Sequence, residues 1–119
     1  MGKKRALSFK YAFRGIWIAF KDEPNLKIHV LIALAALFLG LYFNISKDEW
    51  LAVVFAIGLV MSVELTNTAI EEVVNSFTPD IHPAARKAKD VAAGAVLISA
   101  ITAAIIGFLI FLPYFFKLL

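Results

Sequence analysis

The sequence has 119 residues, of which 61% are hydrophobic and only 18% charged, and its mean hydropathy is +0.83. A soluble domain is nearer about 45–50% apolar, and a chain of this size cannot bury such an excess in one small core. The absence of cysteine excludes disulfides, thiolate zinc sites and cysteine nucleophiles. A net charge of +3, with the basic residues concentrated near the N-terminus, fits a membrane surface better than nucleic acid. We predict one all-α integral membrane domain over residues 1–119, with no nucleic-acid partner.

The first segment, residues 3–22, is predicted to form an amphipathic helix along the membrane surface. Its apolar and basic side chains gather on separate stripes of a helical projection. The apolar stripe holds Phe9, Phe13, Ile16 and Phe20, and the basic stripe holds Lys3, Lys10, Arg14 and Lys21. Pro24 then ends the helix, since proline disfavours helical geometry at the preceding residue. The alternative is that this helix is a peripheral membrane anchor with no further role.

Three membrane-spanning helices are predicted at about 26–44, 50–74 and 86–116. A helix needs about 20 apolar residues to cross a bilayer. The third segment is long enough by itself, whereas the second requires that its charged positions be tolerated. The first requires local thinning of the bilayer or a lysine, Lys27, that extends to the interface.

The distribution of lysine and arginine predicts the orientation. Seven lie before or at the start of the first span and three at the start of the third, against one in the first loop and one in the tail. The positive-inside rule therefore predicts a multi-pass protein of the bacterial cell membrane with a cytoplasmic N-terminus and a cytoplasmic second loop.

The second span carries a polar stripe. Glu64, Asn67 and Glu71 are spaced i, i+3, i+7 and share one helical face, while Glu72 points away and is expected to be solvated. A charge near the bilayer centre costs roughly 2.5–3.5 kcal/mol, so these residues suggest a function. Oxygen ligands without cysteine favour Mg²⁺. The alternatives are hydrogen bonds between helices of an oligomer and an ion or proton pathway.

A second polar feature, Lys89-Asp90, lies near the start of the third predicted span, at the boundary of its charge-free run. It is either an ordinary helix start or a cation for phosphates beside a carboxylate. The sequence has no P-loop, no GxGxxG and no protein-kinase catalytic loop. If the chain uses ATP, it does so outside those common folds.

Two motifs resemble the small bacterial membrane kinases of the diacylglycerol kinase and undecaprenol kinase family. They are Glu64-Leu-Thr-Asn67-Thr-Ala-Ile-Glu71 and Ala88-Lys89-Asp90 followed by Ala-Ala-Gly-Ala-Val-Leu. The segment Asp-Glu-Pro-Asn-Leu-Lys-Ile-His at 22–29 is similar to the Gram-positive undecaprenol kinase branch. His29 and Asn75 stand where better-known diacylglycerol kinases have acids, which bears on lipid preference.

The resemblance implies a role for each matching residue. Glu64 is the expected general base and Asn67 its polar neighbour, while Glu23 and Glu71 are the expected Mg²⁺ ligands. The expected ATP contacts are Tyr11, Glu23, Glu71, Asp80, Ile81, His82, Lys89 and Asp90. Possible phosphate or substrate contacts are Lys4 or Arg5, between which the sequence does not decide, and Arg14.

The third span has a stripe of small residues, Ala95, Ser99, Ala103 and Gly107. Small side chains let helices pack closely, either within the chain or between chains. By resemblance we expect a homotrimeric helical bundle with active sites shared between subunits.

The expected function is ATP- and Mg²⁺-dependent phosphorylation of a membrane lipid alcohol, most consistent with undecaprenol. Diacylglycerol is the alternative lipid. A non-enzymatic ion or proton pathway and a helper subunit of a larger complex are alternatives of other classes.

Overall fold

The computed structural model describes residues 2–78 and 82–119, and the regular elements within these ranges are four α-helices. They are α1 (Gly2–Asp22), α2 (Pro24–Phe43), α3 (Lys47–Phe77) and α4 (Pro83–Leu118). The last three are each long and apolar enough to cross a bilayer. The all-α fold, with an N-terminal helix before three candidate spans, is confirmed; the trimer stays a prediction.

Local sequence explains where α2 ends and α3 begins. Asn44 follows α2 with φ 50° and ψ 57°, a left-handed conformation that asparagine tolerates. Ser46 then starts α3 with a capping box: its Oγ accepts from the backbone N–H of Glu49 at 3.2 Å, and Glu49 Oε1 accepts from the backbone N–H of Ser46 at 2.9 Å. Two antiparallel helices are thus joined by a very short turn.

Helix α4 begins at a proline, Pro83. Pro83 occupies the first turn, where its missing N–H costs no hydrogen bond. His82 precedes it, and its Nδ1 accepts from the backbone N–H of Ala84 at 3.1 Å. Helix α4 therefore begins three residues before the predicted span of 86–116.

The most extensive packing is between α3 and α4, with α2 packed against α3 and α1 contacting α2 and α3 more lightly. The buried apolar cluster lies near the α2–α3 turn and comprises Ile45, Val53, Ile110 and Phe111. Large apolar side chains such as Leu31, Phe55 and Ile98 are exposed on the outer faces of the three spans. Lipid or other subunits would cover them.

The bundle has two distinct ends. We call the α2–α3 turn with its neighbours Gly40, Trp50 and Tyr114 the turn end. We call the opposite end, where Glu23, Glu64, Asn67, Glu71 and Glu72 lie, the carboxylate end.

Candidate active site

Glu64 is a buried carboxylate, only 5% exposed, on the face of α3 that meets α2. Its Oε1 lies 3.1 Å from His29 Nε2. An ionised carboxylate can only accept, so this contact is attractive when His29 Nε2 carries the proton. Glu64 Oε2 has no hydrogen-bond partner among residues 2–78 and 82–119. One oxygen is thus held and the other is left for a ligand.

Asn67 lies one turn further along α3 and touches the next carboxylate. Its Nδ2 donates to Glu71 Oε1 at 3.3 Å. Its Oδ1 is buried and accepts no hydrogen bond within the described part of the chain. An unpaired buried acceptor is costly, so a ligand with a donor or a positive charge would stabilise this position.

Glu23 connects α1 to α2 and brings a further carboxylate to the same end. Burial raises the pKa of Glu23 above its usual 4.5, and repulsion from Glu71, then Glu64, Glu72 and Asp22, raises it further. No lysine or arginine in the described ranges forms an ion pair with Glu23 or Glu71. Among the described residues, the negative charge of Glu23 and Glu71 is therefore not offset by an ion pair.

The donor chemistry of this end fits Mg²⁺. Within residues 2–78 and 82–119 no three His, Asp or Glu side chains converge tightly enough to hold a metal on their own. Mg²⁺ rarely needs such a cage, because it binds one or two carboxylates and completes its shell with water and substrate phosphates. Glu23 and Glu71, whose charges interact, and the buried oxygen of Asn67, which contacts Glu71 through its amide nitrogen, are oxygen donors of the type that such a site uses.

A pocket of about 480 Å³ lies between α1 and α3 beside these carboxylates. Its volume is within the usual range for small-molecule sites. Tyr11 and Glu23, two of the predicted ATP contacts, line it together with Asp22, Thr68 and Glu72. Glu72 is solvent-exposed, as predicted, but it also forms part of the pocket wall, which its position off the stripe did not suggest.

A second, apolar groove of about 390 Å³ runs between α2, α3 and α4. His29 lies at its polar end, and Val60, Ala103 and Phe111 are among its walls. Glu64 is not part of either cavity wall, but its side chain contacts His29 of the groove, and its neighbours Leu65 and Thr68 line the pocket.

The other predicted site residues are more dispersed. Lys89 is half-buried, while Asp90 is exposed and its carboxylate lies 3.7 Å from Arg86 Nε. Lys4, Arg5 and Arg14 are exposed on α1 and belong to neither cavity wall. His82 caps α4, and Asp80 and Ile81 lie outside the described residues.

The contact between His29 and Glu64 is the feature that sequence analysis missed. The two residues are 35 positions apart, so no local spacing relates them. One signal was present, because an ionisable side chain within a membrane helix is by default a functional candidate.

Comparison with known proteins gives a consistent picture. The model of the family "Prokaryotic diacylglycerol kinase" matches residues 10–111. An undecaprenol kinase of Bacillus subtilis is 46% identical over 106 residues, which cover 89% of this chain and 86% of the relative. A diacylglycerol kinase of Synechocystis is 37% identical over 108 residues, covering 90% of this chain and 62% of the relative. The diacylglycerol kinase of Escherichia coli K12 is 30% identical over 95 residues, which cover 80% of this chain and 78% of the relative.

Proposed function

Because this chain belongs to the prokaryotic diacylglycerol kinase family, we propose that it transfers the γ-phosphoryl group of ATP to a membrane lipid alcohol, and that this alcohol is undecaprenol. The chain is a lipid kinase and a multi-pass protein of the bacterial membrane. Its 46% identity to an undecaprenol kinase, against 37% and 30% to two diacylglycerol kinases, favours undecaprenol.

The observation that supports this reaction best is the position of Glu64. It is buried, its side chain contacts His29 of the apolar groove, and its helical neighbours Leu65 and Thr68 line the pocket that Asp22, Glu23 and Glu72 border. A lipid alcohol arrives from the bilayer, whereas a nucleotide arrives from water. A base that is close to both cavities is suited to a reaction between the two.

We assign the general base to Glu64. Its free oxygen accepts the proton of the lipid hydroxyl while the alcohol oxygen bonds to the γ-phosphorus and the bond from that phosphorus to the ADP oxygen breaks. The proton then leaves Glu64 to water, and the products are ADP and the lipid phosphate. Asn67 positions Glu71 through its amide donor.

We assign Glu23 and Glu71 as the residues that hold Mg²⁺, with Asn67 Oδ1 as a further oxygen beside them. The ion, when bound, supplies positive charge to the triphosphate. Tyr11 lines the pocket for ATP. Lys89 and Asp90 stay assigned to the nucleotide, as do Asp80, Ile81 and His82, and the exposed Lys4, Arg5 and Arg14 stay assigned to phosphates or substrate.

ATP is present in the cytosol, so the carboxylate end and the N-terminus are assigned to the cytoplasmic side. Among the described residues, the wall of the pocket contains no lysine or arginine. This favours an active site to which a second copy contributes cations, and we retain the homotrimer as the proposed assembly.

The experiment is a comparison of kcat/KM for undecaprenol and diacylglycerol with purified protein, ATP and Mg²⁺ in mixed micelles. We expect the larger value for undecaprenol. A large preference for diacylglycerol would overturn the lipid assignment but not the reaction. The absence of ATP-dependent phosphorylation of either lipid, together with ion flux in proteoliposomes without ATP, would overturn the reaction itself.

A further inference from the structure

Among the described α2 residues that follow Lys27, the only titratable side chains are His29 and, near the other end of the helix, Tyr42. His29 is half-buried, and its Nε2 meets the buried Glu64 at 3.1 Å. The remaining walls of the groove at this level are apolar. Burial of a polar side chain in this setting is costly unless it is hydrogen-bonded, and Glu64 is the partner that His29 has.

The contact fixes which oxygen of Glu64 is available. A carboxylate on a glutamate can rotate about its last torsion, so either oxygen can face a ligand when nothing holds it. Here Oε1 is held by His29, while Oε2 has no partner among the described residues. The hydrogen bond therefore restricts the carboxylate to one orientation.

We propose that His29 is a positioning residue for phosphoryl transfer: its Nε2–H holds Glu64 Oε1 at the polar end of the apolar groove, so that Oε2 faces the lipid hydroxyl and takes its proton. This inference rests on the proposed function. His29 does not itself receive the proton; it acts through Glu64. The groove that His29 borders gives the lipid chain a path to the same point.

A matched pair of amide substitutions tests the position of the donor. The glutamine amide nitrogen reaches about as far from the backbone as imidazole Nε2, whereas the asparagine amide nitrogen reaches only as far as Nδ1. His29→Gln should therefore keep kcat within about 3-fold, while His29→Asn and His29→Leu should lower it about 10- to 100-fold, less than complete loss of a general base. KM for ATP should stay unchanged in all three, since the proposed nucleotide pocket does not include His29.

One control is a conservative substitution at an exposed position on the same helix. A second measurement follows the imidazole of His29 directly by NMR. Ile28→Leu should leave kcat unchanged. With ¹⁵N-labelled histidine the chain gives only two imidazole groups, His29 and His82. Glu64→Gln should shift the ring resonances of His29 and leave those of His82 in place, whether or not the variant is active.

The outcomes separate this inference from the reaction on which it rests. If wild type is active, Glu64→Gln is inactive and His29→Leu retains wild-type kcat, the positioning role is wrong and the reaction stands. An equal loss of kcat in His29→Gln and His29→Asn would also contradict the positioning role. So would His29 ring resonances that do not shift in Glu64→Gln. If wild type phosphorylates no lipid alcohol, the proposed function fails.

Discussion

The two ends of the bundle differ in whether their polar side chains are paired by hydrogen bonds. At the turn end, Glu49 Oε1 accepts from both the Ser46 backbone and the Tyr114 hydroxyl, and these bonds join the α2–α3 turn to α4. At the carboxylate end, Asn67 Oδ1 is buried and has no hydrogen-bond partner in the described part of the chain, and several carboxylates repel one another.

This difference shows where the fold is stabilised and where binding capacity is retained. Satisfied hydrogen bonds and an apolar cluster hold the turn end in one conformation. Oxygens without a partner at the carboxylate end raise the free energy of the empty protein. Binding of a cation and phosphates would lower that free energy. Substitutions at the two ends should therefore affect different measurements.

The largest expected effect separates the ends by activity. Glu64→Gln should lower kcat by about 10²–10⁴-fold, because glutamine cannot accept the hydroxyl proton. It should leave Tm nearly unchanged, since the amide oxygen can still accept from His29. Glu49→Ala at the turn end should have the reverse effect. Its kcat should stay within about 2-fold of wild type, while its Tm should fall by about 5 °C because the capping box and the Tyr114 contact are lost. Near-normal kcat in Glu64→Gln would show that the assigned base is wrong.

The next effect concerns magnesium. Glu23→Gln and Glu71→Gln should each raise the Mg²⁺ concentration for half-maximal activity about 10- to 100-fold, because an amide oxygen lacks the charge of a carboxylate. Asp48→Asn, an acidic position at the turn end, is the control and should leave the Mg²⁺ requirement as in wild type. An unchanged requirement in both site variants would place the metal elsewhere.

A smaller effect should appear at the turn end alone. A Cβ at Gly40 would lie only 2.6 Å from the indole of Trp50, so Gly40→Ala should lower the free energy of unfolding by about 1–3 kcal/mol. Gly58→Ala, whose Cβ would meet nothing within 4 Å, is the matched control. Unfolding in detergent followed by circular dichroism measures both. Equal stability of the two variants would mean that Trp50 does not pack on Gly40.

The smallest effect is a pH dependence of the metal-free protein. The pKa of Glu23 is raised above 4.5 in the folded state, so folding favours its protonated form. Its contribution to stability is fully present below pH 4.5 and is lost as the pH rises through the raised pKa. Glu23→Gln removes this titration, so its Tm in EDTA should change less between pH 4 and pH 7 and should exceed that of wild type at pH 7. A steeper pH dependence in the variant would contradict the crowding of carboxylates.

Sequence reasoning succeeded where the cause is local. The long charge-free runs predicted the three spans, and spacing placed Glu64, Asn67 and Glu71 on one face of what is a continuous helix, α3. These features depend on helical periodicity and on residues only a few positions apart.

Prediction from the sequence failed where a contact joins distant parts of the chain. His29 and Glu64 are 35 positions apart, and Glu49 and Tyr114 are 65 apart. The close approach of Trp50 to Gly40 and the place of Glu72 in the pocket wall likewise depend on how helices pack. Periodicity identifies the face of a helix but not the residue that it meets.

The most direct test of the central claim, that the carboxylate end binds the metal–nucleotide complex, measures where that complex lies. The chain has no cysteine, so Ser76→Cys and Lys47→Cys each introduce a single site for a nitroxide label, at opposite ends of α3. These positions are separated by 29 residues, or about 44 Å along the helix. With Mn²⁺ in place of Mg²⁺ and ATP present, we predict strong paramagnetic broadening at position 76 and little at position 47, with both effects lost in the Glu23→Gln, Glu71→Gln double variant. Equal broadening at the two positions, or broadening that survives the double variant, would contradict the account.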